Sequence, residues 1–511
     1  MRHKKFILIL FVVFCMVATT KLEAQTMNLS VRPPAVAGTF YPAHPELLKI
    51  AITDFMKDAR PKQISNPLAI IVPHAGYVFS GQICADAFKQ VADNKYDVIV
   101  VLGTNHTRGG WRKNGLYRGL GFQTPLGMVE IDLTVSDEII KIDPNSVYDN
   151  DIHAREHSIE VTLPFIKTIF PNAKIVPIVV GSPDIALNEQ LGVAIAKALK
   201  GKRALIVAST DLSHYPSYDD ANKIDHETIN AVLSLDVSTA HQKIEKLMTQ
   251  GTKEMNTCAC GEATVLTAIS ASKKMGAKSA KMISYANSGD SVFADRSRVV
   301  GYTAIVISAD ESVVENKVIA KTTEENISQI PNEKEKHQML KLARESITRY
   351  LGSMSVPLPR DCEPYLTKRR GVFVTLKKNG ALRGCIGNTN PDLSLCQLIP
   401  RIALSSSLED RRFPPVSFGE LKDIAIEISV LTPPQAVASI DEIKMGRDGI
   451  IINKNGKSAL FLPQVAEGAG WTKEIWLSQL SLKAGLPADA WKADAKFFTF
   501  QAIVFEEEKH Q

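Results

Sequence analysis

Five predominantly apolar runs place the strongest constraint on the fold of this chain. They occupy residues 68–72, 98–102, 175–180, 204–208 and 299–307 and are separated by stretches with helical spacing. Strands with one exposed face alternate apolar and polar residues, whereas continuous apolar runs are typical of strands buried on both faces. The pattern therefore predicts an α/β fold with a largely parallel sheet flanked by helices.

The length of the chain predicts more than one domain, because 511 residues exceed the usual size of a single hydrophobic core. All five apolar runs fall within residues 31–309, which we interpret as the first domain. Residues 310–333 contain many charges and no aromatic residue, a composition typical of a linker. Helical spacing from residue 334 opens a second domain, which we expect to extend to residue 508.

The second domain has a different strand pattern from the first. The dipeptides Asn379-Gly380 and Asn455-Gly456 each lie between apolar segments, as in two-residue hairpin turns. Ile424, Ile426 and Ile428 alternate with smaller or polar residues, which is typical of strands with one exposed face. We therefore expect a smaller α+β domain with antiparallel pairing.

The first 24 residues have the pattern of a secretory signal peptide. Arg2, Lys4 and Lys5 precede an apolar run at 6–18, and small residues offer a cleavage site near Ala24. The run is shorter than the roughly 18 to 20 residues that span a bilayer, so an uncleaved anchor is the less favoured alternative. The sequence predicts an exported protein, periplasmic or extracellular after cleavage.

Most of the net charge of +5 belongs to this leader, and the mature chain would carry +2. A nearly neutral surface gives no electrostatic reason to expect nucleic acid or an anionic membrane as a partner. The cysteines that follow the leader are scattered, and we expect no disulfide framework from their spacing. They are Cys84, Cys258, Cys260, Cys362, Cys385 and Cys396.

Polar loops follow three of the apolar runs of the first domain. His74 follows the first run, His106 follows the second, and Asp211 and His214 follow the fourth. Loops at the carboxyl ends of strands in an open α/β sheet meet at one edge, where such folds place their sites. A lone histidine is more often structural, but imidazoles together with a carboxylate or thiolate bind iron, copper or zinc. The pattern favours a clustered site.

Cys260 is the candidate sulfur ligand, because it lies just before a helical pattern that begins near Glu262. A helix N-terminus stabilises a thiolate. The alternative is a small buried residue at a tight helix start.

The segment 153–160 is a weaker signal. If it is helical, it places His153 with His157, and Glu156 with Glu160, four residues apart on one face. A solvated helix face explains the same spacing.

Four motifs of the first domain together resemble the Memo family over about 270 residues. They are Pro73-His74-Ala75-Gly76-Tyr77, Glu156-His157-Ser158-Ile159-Glu160, Ser209-Thr210-Asp211 with His214, and Cys260-Gly261.

The resemblance implies a fold similar to the class III extradiol dioxygenases of the LigB type. It also implies a mononuclear metal site with the ligands His74, His106 and Cys260. Asp211 and His214 match polar residues that line the same pocket, and we add His157 as a further catalytic candidate.

The second half resembles the AMMECR domain family. The motifs are Leu382-Arg383-Gly384-Cys385-Ile386-Gly387, Asp410-Arg411-Arg412-Phe413-Pro414-Pro415-Val416 and Ile428-Ser429-Val430-Leu431-Thr432-Pro433. Arg383 and Cys385 are its candidate site residues, with tight strand packing as the equally weighted alternative. The two domains together resemble components B and A of the AmmeMemoRadiSam system, which implies a radical S-adenosylmethionine enzyme as a partner.

These observations favour a metal-dependent redox protein in which iron or copper is preferred over zinc. We expect His214 to move protons and Asp211 to orient a histidine. Extradiol ring cleavage is disfavoured, because a thiolate replaces the usual carboxylate ligand. The alternatives are a non-enzymatic metal-binding or peptide-binding scaffold and a zinc hydrolase.

Overall fold

The computed structural model describes residues 29–293, 295–311, 329–389 and 392–508. We refer to residues 29–311 as the N-terminal domain and to residues 329–508 as the C-terminal domain. The predicted signal peptide and most of the predicted linker lie outside the described residues. No helix among the described residues is both long and apolar enough to cross a bilayer.

The N-terminal domain alternates strands with helices. Its helices are α1 (Pro45–Asp58), α2 (Tyr77–Val91), α3 (Leu133–Ile142), α4 (Asn150–His153), α5 (Leu163–Ile169), α6 (Ile185–Ala198), α7 (Tyr218–Leu233), α8 (Val237–Thr249) and α9 (Glu262–Lys274). Its strands are β1 (Val31–Arg32), β2 (Pro67–Val72), β3 (Val98–Thr104), β4 (Asn114–Leu116), β5 (Gly121–Thr124), β6 (Gly127–Glu130), β7 (Ser146–Tyr148), β8 (Lys174–Val180), β9 (Ala204–Ser209), β10 (Ser279–Asn287) and β11 (Gly301–Ser308).

One eight-stranded sheet organises this domain, with the strand order β10-β11-β2-β9-β3-β8-β4-β7. The four central strands β2, β9, β3 and β8 are parallel to one another. Towards one edge, β11 is antiparallel to β2, and β10 is antiparallel to β11. Towards the other edge, β4 is antiparallel to β8. The sheet is therefore mixed, with a parallel centre, rather than parallel throughout.

Both faces of the sheet are covered, which explains the continuous apolar runs. Ile70 and Val72 pack into the core that contains helices α1, α2 and α5. Ala69 and Ile71, which point to the opposite face, pack into the core that contains α6 and α9. Successive residues of a strand face opposite sides of the sheet, so each position of such a run must be apolar.

The C-terminal domain contains two small antiparallel sheets. One has the strand order β13-β12-β14-β19 and the other β15-β18-β16-β17. The strands are β12 (Val372–Lys378), β13 (Ala381–Asn388), β14 (Ile424–Leu431), β15 (Gln435–Val437), β16 (Gly449–Lys454), β17 (Lys457–Phe461), β18 (Lys496–Phe500) and β19 (Ala502–Glu506). The helices are α10 (Glu333–Ser353), α11 (Leu395–Leu408), α12 (Gln464–Ala469) and α13 (Lys473–Lys483).

Both hairpins predicted from Asn-Gly turns are present. Asn379 and Gly380 have φ values of 52° and 84°, and Asn455 and Gly456 have values of 52° and 75°. These left-handed conformations are the ones that a two-residue hairpin turn requires. The turns join β12 to β13 and β16 to β17.

A disulfide joins Cys362 to Cys396 in the C-terminal domain, at a sequence separation of 34 and a Cα–Cα distance of 6.3 Å. It ties the segment after α10 to the start of α11. The cysteine spacing predicted no disulfide framework, and it did not identify this one pair. The fold brings the two residues together, which linear spacing does not reveal.

Ion pairs and apolar contacts both join the two domains. Arg349 in α10 forms ion pairs with Asp54 and Asp58 of α1, at 3.4 and 2.5 Å. Val292 of the N-terminal domain is buried in the hydrophobic core of the C-terminal domain. The C-terminal domain is therefore packed onto the N-terminal domain along the α1 and β10 side.

Candidate metal site

The candidate site lies at the carboxyl ends of three neighbouring parallel strands. His74 lies two residues beyond the end of β2, Asp211 two residues beyond β9, and His106 two residues beyond β3. These strands are adjacent in the order β2-β9-β3, so their loops open at one edge of the sheet. The structure brings together the three loops that the sequence singled out.

The ring of His74 is fixed by a serine at the end of β9. Its Nδ1 lies 2.8 Å from Ser209 Oγ, and the hydroxyl of Ser209 donates its proton to the carbonyl of Ser158 at 2.7 Å. Since a hydroxyl has one proton, Ser209 must accept from His74, which places the imidazole proton on Nδ1. Nε2 of His74 therefore carries the free lone pair that a metal requires. Burial, together with the nearby His106 and His157, holds the pKa of His74 well below 6.5.

His106 is held by the buried carboxylate of Glu156. One carboxylate oxygen accepts from Nδ1 of His106 at 2.9 Å, and the other accepts from its backbone N–H at 2.8 Å. Burial alone would raise the pKa of Glu156, but the hydrogen bond and charge of His106 outweigh it and lower that pKa to about 2. The carboxylate thereby orients the imidazole of His106 and leaves Nε2 as its candidate ligand atom.

His157 completes a cluster of three imidazoles. Its ring stacks on His106 with centroids 4.6 Å apart and meets His74 edge-on at 5.5 Å. Its Nδ1 lies 3.7 Å from the same Glu156 oxygen that binds His106. Burial, followed by the charge of His106, lowers the pKa of His157 below its usual value.

The helical interpretation of residues 153–160 is wrong. Helix α4 ends at His153, and the chain turns around Glu156, whose carboxylate accepts the backbone N–H of Ser158 at 2.9 Å. His153 points into the core and bonds the carbonyl of Gly115 at 2.9 Å. Glu160 is also buried, but it binds Arg32 and the hydroxyl of Tyr41. These residues therefore serve different parts of the molecule, although their spacing suggested one face.

Cys260 reaches the site from the loop before α9. Its Sγ lies 3.3 Å from Nε2 of His74 and accepts the backbone N–H of Asp211 at 3.3 Å. The hydroxyl of Thr104 donates to the carbonyl of Cys260 at 2.9 Å, which ties this loop to the end of β3. The next residue, Gly261, is the N-cap of α9.

The backbone next to Cys260 is packed too closely to admit a side chain. A Cβ at Gly261 would lie 2.4 Å from the carbonyl oxygen of Ser209. This contact brings the sulfur-bearing loop against the end of β9. Burial, followed by the charge of Asp211, raises the pKa of the Cys260 thiol, so the helix N-terminus alone does not stabilise the thiolate that the sequence suggested.

Asp211 contacts His74, and His214 lies close enough to interact with the Asp211 charge. One oxygen of Asp211 accepts the backbone N–H of His74 at 2.8 Å, and the other lies 3.9 Å from its Nε2. Burial raises the pKa of Asp211 and lowers that of His214, which interacts with the Asp211 charge. Within the described part of the chain, buried Nε2 of His214 has no hydrogen-bond partner.

The donor atoms form two overlapping groups that could hold a metal ion. One group contains His74, His106 and His157, and the other contains His74, Asp211 and Cys260. Within each group the ligand atoms lie within 4.8 Å of one another. Imidazoles, a thiol and a carboxylate form a donor set that suits iron, copper or zinc. The residues present therefore fit a metal ion.

The second-domain candidates Arg383 and Cys385 lie in strand β13. Arg383 forms ion pairs with Glu420 and donates to the carbonyl of Pro414 at 2.9 Å, so its charge is used within the fold. The sulfur of Cys385 lies 3.3 Å from the hydroxyl of Thr375, and its backbone N–H is bound by Asp410 at 2.8 Å. These contacts favour the packing alternative for Arg383 and leave Cys385 half-buried.

Sequence reasoning missed the residues that orient the ligands. Glu156 and Ser209 both stood inside recognised motifs, but nothing in their spacing says which histidine each one binds. A buried acid next to a histidine, as in Glu156-His157, is the signal that could have drawn attention to the carboxylate.

Both domains match established family models. The Memo-like protein model matches residues 32–306, and the AMMECR1 model matches residues 340–505. Two curated relatives, both named MEMO1 family protein, align with slightly more than half of this chain. The one from Methanosarcina acetivorans is 35% identical over 286 residues. The alignment covers 55% of this chain and 100% of that relative. The one from Aquifex aeolicus is 36% identical over 279 residues, 54% of this chain and 99% of its own length.

Two solved structures also resemble the chain, at TM-scores too low to support an argument. An uncharacterized protein from Pyrococcus horikoshii is 39% identical, with a TM-score of 0.33, over 35% of this chain and 95% of that chain. An uncharacterized protein from Escherichia coli K12 is 13% identical, with a TM-score of 0.34, over 47% of this chain and 100% of that chain.

The Memo-like model covers more than half of the chain and the relatives are covered almost completely. With its site at the sheet edge and its C-terminal domain matched by a second model, the protein belongs to the Memo-like family and carries an AMMECR1 domain after its Memo-like domain.

Proposed function

We propose that this protein is a metal-dependent redox protein whose ion is held by His74, His106 and Cys260. The observation that carries the proposal is the 3.3 Å approach of Cys260 Sγ to Nε2 of His74, beside a second imidazole, His106, whose Nδ1 is held by Glu156. A thiolate with two imidazoles favours iron or copper, which would supply single-electron chemistry at the open edge of the sheet.

The surrounding residues have separate tasks in this proposal. Asp211 holds the backbone of His74 and places a carboxylate beside its Nε2. His214 has a buried ring nitrogen without a partner among the described residues, so it can hold or deliver a proton at the edge of the pocket. His106 and His157 are 29% and 22% exposed, which leaves a route for a small substrate from solvent.

We infer further that the protein acts outside the cytoplasm. The leader pattern supports export, and so does the Cys362–Cys396 disulfide, because disulfides persist mainly in oxidising compartments. The fold relation to LigB-type dioxygenases is part of the same proposal and is supported by the position of the histidines at the carboxyl ends of β2 and β3. The union of Memo-like and AMMECR1 domains supports a radical S-adenosylmethionine enzyme as a partner.

The decisive experiment is elemental analysis of the full-length mature protein, purified from its native compartment without added metal. We expect about one iron or copper ion per chain, with an electron paramagnetic resonance signal that appears and disappears during a redox titration. Cys260→Ser should shift that signal. Cys258→Ser is the matched control, because Cys258 lies two residues away and contacts the carbonyl of Ile244 instead of the site.

Three results would overturn the proposal. A stoichiometric zinc ion would favour hydrolytic chemistry, and a metal that gives no redox response would favour a binding scaffold. A signal that is identical in Cys260→Ser and in the unmodified protein would remove Cys260 from the ligand set.

A further inference from the structure

The open side of the site has a set of ligands that does not include sulfur. His74, His106 and His157 present ligand atoms within 4.8 Å of one another, while Cys260 and Asp211 form a separate group with His74. Ligands of one tetrahedral ion with metal–nitrogen bonds of 2.0–2.1 Å are about 3.4 Å apart, so small rotations of the side chains would close the three imidazoles around an ion.

The three rings are organised before any ion binds. Ser209 fixes the proton of His74 on Nδ1, and the Glu156 carboxylate fixes that of His106. The same carboxylate lies 3.7 Å from Nδ1 of His157. Nδ1 of His74 and Nδ1 of His106 are thereby engaged, which leaves Nε2 of each ring as its candidate ligand atom.

The position of His157 is fixed by packing as well. Its ring lies between His106, at a centroid distance of 4.6 Å, and Phe40, at 5.0 Å. A stacked ring in contact with aromatic neighbours has lost most of its rotamer freedom, so ligation would cost little further entropy.

We propose that His74, His106 and His157 form a second metal position, which binds a borderline divalent cation such as Cu²⁺, Zn²⁺ or Co²⁺ without the Cys260 sulfur. The inference rests on the proposed metal site, because His74 belongs to both ligand groups. One ion at a time occupies the pocket, and it can lie towards the sulfur or towards His157. Histidine-only coordination of this kind suits the borderline cations.

Cobalt binding to the full-length protein tests the proposal, because Co²⁺ reports its ligands by optical absorption. The unmodified protein should bind one Co²⁺ per chain, with a thiolate-to-cobalt charge-transfer band. Cys260→Ser should lose the band but still bind one Co²⁺, with the Kd raised by no more than about tenfold. Cys260→Ser combined with His157→Gln should raise the Kd by a further factor of about 100 or more.

Cys260→Ser combined with His153→Gln is the matched control. His153 lies four residues before His157 but binds the carbonyl of Gly115, so this variant should behave like Cys260→Ser alone. Circular dichroism establishes that each variant is folded, and Cys260→Ala replaces Cys260→Ser if the serine variant does not fold.

Loss of cobalt from a folded Cys260 variant would overturn the proposal, and so would full binding by the variant that also lacks His157. A redox-inactive native metal would refute the proposed function but not this inference, because cobalt binding is measured without turnover. A full-length protein that binds no Co²⁺ would overturn both.

Discussion

Arg360 of the C-terminal domain binds both carboxylate oxygens of Asp86 in helix α2, at 2.9 and 2.5 Å. The side chain of Asp86 is 0% exposed, and that of Arg360 is 14% exposed. Ser284 and the backbone N–H of Arg60 also donate to this carboxylate, at 2.5 and 2.9 Å. A buried acid of the Memo-like domain thus depends on the AMMECR1 domain for its cation.

Removal of that cation should destabilise the whole protein. We expect Arg360→Met to lower the free energy of unfolding by about 3 kcal/mol, because it leaves a buried carboxylate without a counter-ion. Urea denaturation of the full-length protein measures the change. Arg349→Met is the control, since its partners Asp54 and Asp58 are 30% and 40% exposed and such pairs contribute about 1 kcal/mol or less. Equal losses in the two variants would contradict the expectation.

Glu156→Gln should weaken metal binding without removing a ligand. The amide has one acceptor oxygen and cannot accept from both Nδ1 and the backbone N–H of His106 as the two carboxylate oxygens do, so we expect the Kd for the metal to rise by roughly 10- to 100-fold. Competition with a chelator of known affinity measures it. Glu160→Gln should instead leave the Kd unchanged and lower thermal stability, because Glu160 binds Arg32 and Tyr41. An unchanged Kd in Glu156→Gln together with a raised Kd in Glu160→Gln would show that Glu156 has no orienting role.

The disulfide should contribute to the stability of the C-terminal domain and not to the site. Replacement of both Cys362 and Cys396 by serine should lower the free energy of unfolding by about 3–4 kcal/mol, the chain-entropy value for a loop of this length. Treatment of the unmodified protein with a reductant should have the same effect in calorimetry. A change in metal affinity after either treatment would be unexpected.

The lowered pKa of buried His153 predicts a loss of stability in acid. Burial is the main cause that lowers its pKa from 6.5 to about 4, so below pH 6.5 the unfolded chain binds a proton that the folded chain does not. Stability therefore decreases as the pH falls from about 6.5 to about 4, by up to about 3 kcal/mol for this residue. Urea denaturation of the unmodified protein and of His153→Gln across this range should differ in slope. Parallel curves would mean that His153 is protonated in the folded protein.

The sequence predicted the parts of the fold that depend on local pattern. The strands β2, β3, β8 and β9 lie within two residues of the apolar runs that predicted them. Both Asn-Gly hairpins also formed, because their turn geometry is encoded by the dipeptide itself. The antiparallel edges of the large sheet were not predicted, since strand direction depends on how distant segments connect.

The candidate site, too, was only partly predictable from the sequence. His74, His106 and Asp211 were predictable because each lies just beyond a recognisable strand. The orienting role of Glu156 was not, because it depends on a turn that a helical reading of 153–160 conceals. The interpretation of His153 as a neighbour of His157 failed for the same reason, as the chain leaves the helix at His153.

The close contact between Gly261 and the carbonyl of Ser209 has a consequence for damage to the site. A methyl group at position 261 would force the start of α9 away from the end of β9. It would change neither an imidazole nor a thiol. Such a chain would retain every candidate ligand, but we expect the proposed metal position to be distorted. An intact set of donor residues in a variant is therefore insufficient proof of a working centre.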